Sequence, residues 1–368
     1  MKFTCSRGQL SEALASTSRA VSQRSTLDVL KCVLLEAEDN KITVTGNSQE
    51  MTLITSFEAE VESPGACALE AKIFSDIVRR MPGDDISFAL DSQYQASLQS
   101  GCSDFSIMAL PTDKYPAVPE VSGLRELTMT QPQLKRKLNL TTFAVSTNEG
   151  RIAQTGVLFD MEPGSLYMVA LDGHRMAITR EPMDTAEEYR FIVPAGPLGE
   201  LEKLLSADEE DLVHFDIAAH HIRMDLGHTI LISPLLEGQF IKYKQAIPAE
   251  SAFVTGIRTK TLLSSVERVA LLINEQVKHP LRMKFEGNTL RLSCVTSLGK
   301  AVDNLEIDHN EPLEIGFNHR YITDALRHTL HDEVLLKANG AHAALLIVPP
   351  EGDEYVFLIL PVKLKAEA

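Results

Sequence analysis

Apolar positions along this chain alternate between a helical and a strand spacing, and the whole alternation occurs three times. Leu10, Ala13, Leu14, Thr17 and Val21 fall on one helical face, as do Leu134, Leu138, Thr141 and Val145, and then Leu263, Val266, Ala270 and Ile273. Pro132, two residues before the second stripe, suits a first helical turn, where its missing N–H costs nothing. Each stretch predicts a second helix, over residues 71–81, 195–205 and 318–326. These run through Pro82-Gly83-Asp84-Asp85, Asp208-Glu209-Glu210-Asp211 and His331-Asp332-Glu333 into the apolar runs 86–88, 212–215 and 334–336. The offsets, 195 − 71 = 124 and 318 − 195 = 123, are nearly equal.

Between the helices lie strand–turn–strand patterns. Residues 33–37 and 41–45 flank Glu38-Asp39-Asn40, residues 156–159 and 166–170 flank Glu162-Pro163-Gly164, and residues 281–285 and 290–293 flank Glu286-Gly287-Asn288. A repeat of this length is too long for a solenoid and suits whole domains. The expected fold is therefore α+β, with three domains of two helices and antiparallel sheet, at 1–121, 126–249 and 251–368. The linkers, near 119–123 and 248–251, are short, so the domains should sit close together. The approaches to them are alike: Asp113-Lys114-Tyr115 with Pro116 and Pro119, then Ile241-Lys242-Tyr243 with Pro248.

Composition narrows the class. With 44% hydrophobic and 23% charged residues in 368, the chain reads as an ordinary globular protein. No apolar run is long enough to span a bilayer, and Met1 to Arg7 lack a signal-peptide core, so a cytoplasmic protein is expected. Cys5, Cys32, Cys67, Cys102 and Cys294 are scattered and odd in number, which suggests reduced thiols rather than a zinc or disulfide framework. A net charge of −16 argues against coating nucleic acid by global attraction, but leaves room for a locally basic surface.

Several dispersed segments carry a family likeness. They are Met1-Lys2-Phe3, Arg24-Ser25-Thr26-Leu27, Phe105-Ser106-Ile107 with Leu110-Pro111, Asp172-Gly173-His174-Arg175-Met176, Gly238-Gln239-Phe240 with Tyr243, Ile315-Gly316-Phe317-Asn318 with Tyr321, and Leu360-Pro361-Val362-Lys363-Leu364. In this order the chain resembles the bacterial DNA polymerase III β subunits, the sliding clamps, over essentially its full length. The resemblance implies three DNA-clamp domains per chain and a head-to-tail homodimer, a ring of six domains around duplex DNA. It implies a non-catalytic processivity factor without cofactor. Its partners would be double-stranded DNA, the replicative polymerase α subunit, the clamp loader, and repair and translesion polymerases, with no membrane. Sequence-blind phosphate contacts suit a ring that slides.

The resemblance puts Arg24, Lys72, Arg79, Lys135, Arg136, Lys137, Asn148 and Arg151 at or near DNA-facing positions. On charge alone, the run Lys135-Arg136-Lys137 could equally be an ordinary solvated helix face. Ala195-Gly196-Pro197 stands where many relatives carry basic residues, so that helix should contribute less positive potential.

Taken alone, Asp172-Gly173-His174-Arg175 could hint at acid–base chemistry, or be a turn after a strand. The resemblance makes it one wall of a hydrophobic cleft that receives short partner peptides. Carried over, the cleft comprises Leu171, Gly173, His174, Arg175, Met176, Ile241, Ala246, Asn318, Tyr321, Leu358, Leu360, Pro361, Val362, Lys363 and Leu364, with Gln154, His342 and Ala344 at its edge. Gln154 replaces a usual apolar residue, Ile241 replaces a common proline, and the chain continues through Lys365-Ala366-Glu367-Ala368. A competent cleft with altered peptide preference is expected.

Phe105 and Ile107, on a predicted edge strand, and Leu271 and Leu272, at the end of a helix, read as core on sequence alone; the resemblance pairs them across the dimer seam. A rival reading is a metal-dependent hydrolase using His214, His220, His221 and His228. Adjacent His220 and His221 would point to opposite faces of a strand, a poor metal site. No phosphate-binding glycine loop or nucleophile elbow is present. A ring of three two-domain subunits, as in the eukaryotic clamp, fits three repeats per chain less well than a dimer.

Overall fold

The computed structural model describes residues 1–22, 28–123, 125–274, 279–309 and 311–364. Its α-helices are α1 (Arg7–Thr17), α2 (Ala71–Arg80), α3 (Gln131–Thr141), α4 (Ala195–Leu204), α5 (Thr259–Ala270) and α6 (His319–His328). The helical pairs expected from the periodicity are present; the second helix of each pair matches within two residues, whereas Val21, Val145 and Ile273 lie three or four residues past the ends of α1, α3 and α5. One stripe is out of phase: α5 buries Leu262, Ser265, Val266 and Val269, while Leu263 is only half-buried. Leu262 and Leu263 are adjacent and equally apolar, so spacing alone does not choose between them.

Local chemistry explains where the helices begin. Thr130 and Gln133 form a reciprocal capping box at α3: the Thr130 N–H donates to Gln133 Oε1 (3.0 Å) and the Gln133 N–H to Thr130 Oγ1 (3.3 Å). Asn318 caps α6 by accepting from the Arg320 N–H at 3.1 Å. α2 buries Ala71, Phe74 and Val78 at helical spacing and stops before Pro82.

The chain forms two compact units, residues 1–135 with 196–235 and residues 136–195 with 236–368. In the first, a five-stranded antiparallel sheet runs Glu60–Ser63, Lys2–Ser6, Asp85–Leu90, Gln95–Ser100, Ser103–Met108. An eight-stranded sheet runs Arg125–Thr130, Leu212–Ile217, His221–Asp225, Thr229–Pro234, Thr52–Glu58, Lys41–Asn47, Cys32–Glu38, Gly65–Glu70. Phe3, Leu10, Leu14, Leu35, Val44, Phe74 and Phe88 are fully or almost fully buried in its core, and Phe3 stacks on Phe88 at 4.9 Å.

The second unit repeats the plan. An eight-stranded sheet runs Tyr189–Pro194, Gly156–Glu162, Ser165–Leu171, Arg175–Pro182, Tyr355–Ile359, Leu345–Val348, Glu333–Ala338, Phe253–Arg258. A four-stranded sheet runs Gly299–Glu306, Thr289–Thr296, Leu281–Glu286, Leu313–Phe317. The compact units divide the middle third of the chain because each eight-stranded sheet joins strands of successive repeats. Thr229–Pro234 pairs with Thr52–Glu58, and Arg175–Pro182 with Tyr355–Ile359. Backbone pairing across the repeat boundary outweighs the order of the chain.

Candidate functional site

The residues expected to form the cleft lie within the second unit, and several of them belong to one buried core cluster. Leu171, Met176, Tyr243, Leu346 and Leu358 are buried together, with Ala344, Ile247 and Phe240 packed against them. Met176 stands opposite Leu358 in the paired strands. Tyr243 fixes the loop bearing Ile241 and Ala246: its hydroxyl donates to Asp160 Oδ2 at 2.9 Å, and Arg190 Nε donates to Asp160 Oδ1 at 2.7 Å. Asp160 is 1% exposed, so the two donors satisfy a carboxylate that would otherwise be costly to bury. Burial, then the hydrogen bond to Asp160, pushes the Tyr243 phenol well above its ordinary range.

Asp172 resolves its two readings as a turn residue. Its Oδ1 accepts from the N–H groups of His174 (2.9 Å) and Arg175 (3.1 Å), and its own N–H donates to the Arg175 carbonyl (3.2 Å). Gly173 takes φ +89°, a conformation that favours glycine. The turn projects Arg175 toward α6. There its guanidinium bonds Asp172 (3.0 Å) and Asp324, and lies 4.8 Å from the Tyr321 ring centroid and 5.6 Å from that of Phe143. The His174 ring stacks on that of Tyr321, with centroids 6.1 Å apart.

The C-terminal segment closes the remaining wall. Leu360 N–H donates to the His174 carbonyl and Val362 N–H to the Gly316 carbonyl, both at 2.8 Å. Leu364 packs so closely on Gly316 that a Cβ there would meet its Cδ2 at 2.5 Å. Asn318 holds Tyr321 through the cap of α6, and the Tyr321 N–H reaches its carbonyl at 3.1 Å. Ile241, Ala246, Leu360, Val362, Lys363 and His342 are exposed, and Pro361 is half-buried. Gln154 is half-buried, and its Oε1 is sealed from solvent without a protein hydrogen bond. Lys365-Ala366-Glu367-Ala368 lie outside the described residues. The sequence reading missed Asp324, Phe143 and Gly316; only Asp324, one α6 turn from Tyr321, offered a signal.

The helix-borne cations divide into two groups. Lys72, Arg79 and Arg151 are exposed, Arg79 pairing with Asp76, and Asn148 is an exposed N-cap accepting from Gly150 N–H at 3.0 Å. Arg24 lies outside the described residues. The run on α3 is otherwise engaged. Lys135 Nζ donates to the Leu205 carbonyl at 2.9 Å, just past the end of α4, where a cation suits the helix dipole. Arg136 grips Glu354 with two nitrogens. Lys137 corrects the expectation of a solvent-facing cation: it is 3% exposed, donates to the Arg180 carbonyl (2.8 Å) and pairs with Glu181 (2.9 Å). Those partners come from far along the chain, which a charge count cannot see. α4, as expected from Ala195-Gly196-Pro197, carries no basic residue in its first two turns.

At the other expected interface, Ser103–Met108 is an edge strand. Phe105 is 41% exposed and Ile107 is half-buried against the core. Leu271, just past α5, is 82% exposed, and Leu272 is half-buried. The histidines do not converge. His214 Nδ1 lies 3.0 Å from Thr128 Oγ1, and the strand begins at His221, so His220 precedes it instead of sharing it. Among the described residues no group of three or more His, Cys, Asp or Glu side chains could hold a metal ion, and the hydrolase reading has no support.

Three features stand together: repeated helix pairs on shared sheets, a buried apolar cluster beside a fixed arginine, and apolar side chains left exposed on an edge strand and just past α5. Models of the N-terminal, central and C-terminal domains of the DNA polymerase III beta subunit match residues 1–119, 128–242 and 244–363. The chain belongs to the DNA polymerase III beta subunit family, whose members are DNA sliding clamps and non-catalytic processivity factors of replication. It is 29% identical over 377 residues to the beta sliding clamp of Bacillus subtilis, covering 99% of this chain and 100% of that one. A Staphylococcus aureus beta sliding clamp is likewise 29% identical, covering 99% of both. Among solved structures, a putative DNA polymerase III beta subunit from Eubacterium rectale is 30% identical with a TM-score of 0.94, over 98% of this chain and 99% of that one. The Bacillus subtilis sliding clamp superposes at 0.95 with 28% identity, over 99% and 100%. A Pseudomonas aeruginosa sliding clamp bound to griselimycin does so at 0.94 with 27% identity, over 99% and 100%. No helix among the described residues is long and apolar enough to cross a membrane.

Proposed function

We propose that two copies of this chain close head to tail into a ring that encircles duplex DNA in the cytoplasm. The observation that carries the closure is the uncovered edge strand with Phe105, matched in apolar character by the 82% exposed Leu271. An edge of this kind invites pairing, and a closed ring removes the hazard. Lys72, Arg79, Arg151 and Asn148 would meet phosphates without reading sequence, while Arg24 belongs to the same proposal through its family position. The α3 cations contribute less: Lys137 is buried, Lys135 is held on the Leu205 carbonyl and Arg136 on Glu354, whereas Arg79 stays exposed beside Asp76.

The cleft floored by Met176 and Leu358 would take the apolar side chains of short peptides from the replicative polymerase, the clamp loader, and repair and translesion polymerases. Met176 suits a site with several partners, because a thioether repacks easily. Light scattering should give twice the chain mass. The protein loaded on circular DNA should stay, then leave when that DNA is linearised. A species of single-chain mass at micromolar concentration, or retention indifferent to linearisation, would overturn the reading.

A further inference from the structure

The turn that walls the cleft has a counterpart 124 residues earlier in the first compact unit. Ser48 stands for Asp172 and Met51 for Arg175. Ser48 N–H donates to the Met51 carbonyl at 2.9 Å, and Ser48 Oγ accepts from the N–H groups of Glu50 and Met51, both at 3.2 Å. These are the same three bonds that Asp172 makes. The following strands also correspond: Thr52 pairs with Ile232 as Met176 pairs with Leu358. The linkers correspond too. Tyr115 anchors its linker by donating to the Thr45 carbonyl at 2.8 Å, as Tyr243 anchors its own on Asp160.

Turn, strand pair and tyrosine-anchored linker, the walls of the cleft, therefore occur twice. The earlier set encloses a cavity of about 370 Å³, within the range of ligand pockets. Met51, Ile232, Pro116 and Ala117 give it apolar walls, and Lys114 and His221 also line it. No carboxylate is among its described lining residues, although the whole chain carries a net charge of −16. Lys114 is thus the one lysine, arginine, aspartate or glutamate among those described lining residues.

We propose that this cavity is a second peptide-binding pocket. It would accept a short extended segment of a partner protein with a Leu or Phe side chain beside an acidic residue. The inference rests on the peptide-binding reading of the Met176 cleft. One difference sets the two apart. Leu360, two residues beyond Leu358, donates its N–H to the turn carbonyl of His174. Pro234, two residues beyond Ile232, has no N–H to give the equivalent Glu50 carbonyl. A bound peptide backbone supplies that donor. Lys114 takes over the positive role of Arg175 and faces the acidic residue from the rim.

The test uses the full chain and a capped peptide, Ala-Asp-Leu-Phe-Ala, in titration calorimetry. Wild type should bind two peptides per chain and the Met176→Asp variant one. Where Met176→Asp disturbs folding, Ile241→Arg at the exposed rim of the first cleft takes its place. In either background Ala117→Arg should abolish the remaining binding, and Lys114→Glu should weaken it about 5-fold. One peptide on wild type and none on Met176→Asp would overturn this inference and leave the first cleft standing. Residual binding indifferent to Ala117→Arg overturns it as well. Loss of all binding on Ala117→Arg alone would support this pocket and sink the first.

Discussion

Arg175 lies with its guanidinium carbon 4.8 Å from the centre of the Tyr321 ring while Asp172 and Asp324 hold its nitrogens. The two carboxylates fix the plane of the guanidinium, and the ring takes the face that remains. Arg175 is therefore set in place before any ligand arrives at the proposed cleft. Arg175→Lys keeps the charge but loses the fork and the stacking plane. We expect it to weaken binding of an apolar peptide about as much as Arg175→Ala does, roughly tenfold. Fluorescence anisotropy on both variants checks this, and recovery of wild-type affinity in the lysine variant would contradict it.

Lys137 belongs to the core although it stands in the most basic run of the chain. Removing its ammonium by Lys137→Met leaves the Glu181 and Glu354 carboxylates, 18% and 21% exposed, without the cation between them. Loss of one partner from a buried pair costs about 3 kcal/mol. Urea denaturation should show that loss. Retention on DNA, compared at equal folded fraction, should be unchanged, whereas Lys72→Ala, exposed on α2, should shorten it.

The contrast between Lys137 and Lys72 shows how far the sequence could be read. Helix pairs, hairpins and the threefold repeat were legible because each is a local period. The phase of α5 was not, since Leu262 and Leu263 are chemically equal. The two compact units were hidden because strand pairing such as Thr55 with Thr229 depends on contacts 174 residues apart. For the proposed cleft, the apolar members were named as family positions, and Leu171, Met176 and Leu358 fold into one buried cluster. The groups that orient Arg175, namely Asp324 and Phe143, appear only when the chain is folded.

Glu354 links stability to pH. Burial alone would raise its pKa, but the Arg136 hydrogen bond and the nearby Lys137 and Arg136 charges bring it below the ordinary carboxylate range. A depressed pKa gives stability that is present above the unfolded value, about 4.3, and lost as pH falls through the lower folded value. Wild type should therefore lose more stability than Glu354→Gln between about pH 5 and pH 3. Denaturation curves at the two pH values measure the difference. Equal losses in both proteins would remove Glu354 from the acid response.

Only one of the five cysteines is open to reagents. Cys102 is exposed, while Cys5, Cys32, Cys67 and Cys294 are buried. Burial, with Asp85 nearby, pushes the Cys5 thiol up to about 12. Burial pushes Cys67 to about 12, and burial with the Glu70 charge pushes Cys32 to about 11. Burial also raises Cys294. A thiol reagent at about pH 8 should modify one group per native chain quickly, because the thiolate is the reacting form. Cys102→Ser should abolish that fast phase, and denaturant should restore four slow thiols to full reactivity.

Gln154, expected at the edge of the proposed cleft, carries an unusual burden. Its Oε1 is shut away from solvent with no protein donor, while its backbone carbonyl accepts from Ser146 N–H at 2.9 Å. A buried amide oxygen without a partner costs about 1–3 kcal/mol. Gln154→Leu keeps most of the volume and removes that oxygen, so it should stabilise the chain by about 1 kcal/mol. It also makes the adjoining cleft edge more apolar, so peptides with bulky aliphatic side chains should bind more tightly and those with a polar residue there less so. Thermal denaturation and a paired peptide titration test both halves. A variant no more stable than wild type, with unchanged peptide ranking, would show that this oxygen finds a donor the protein itself does not provide.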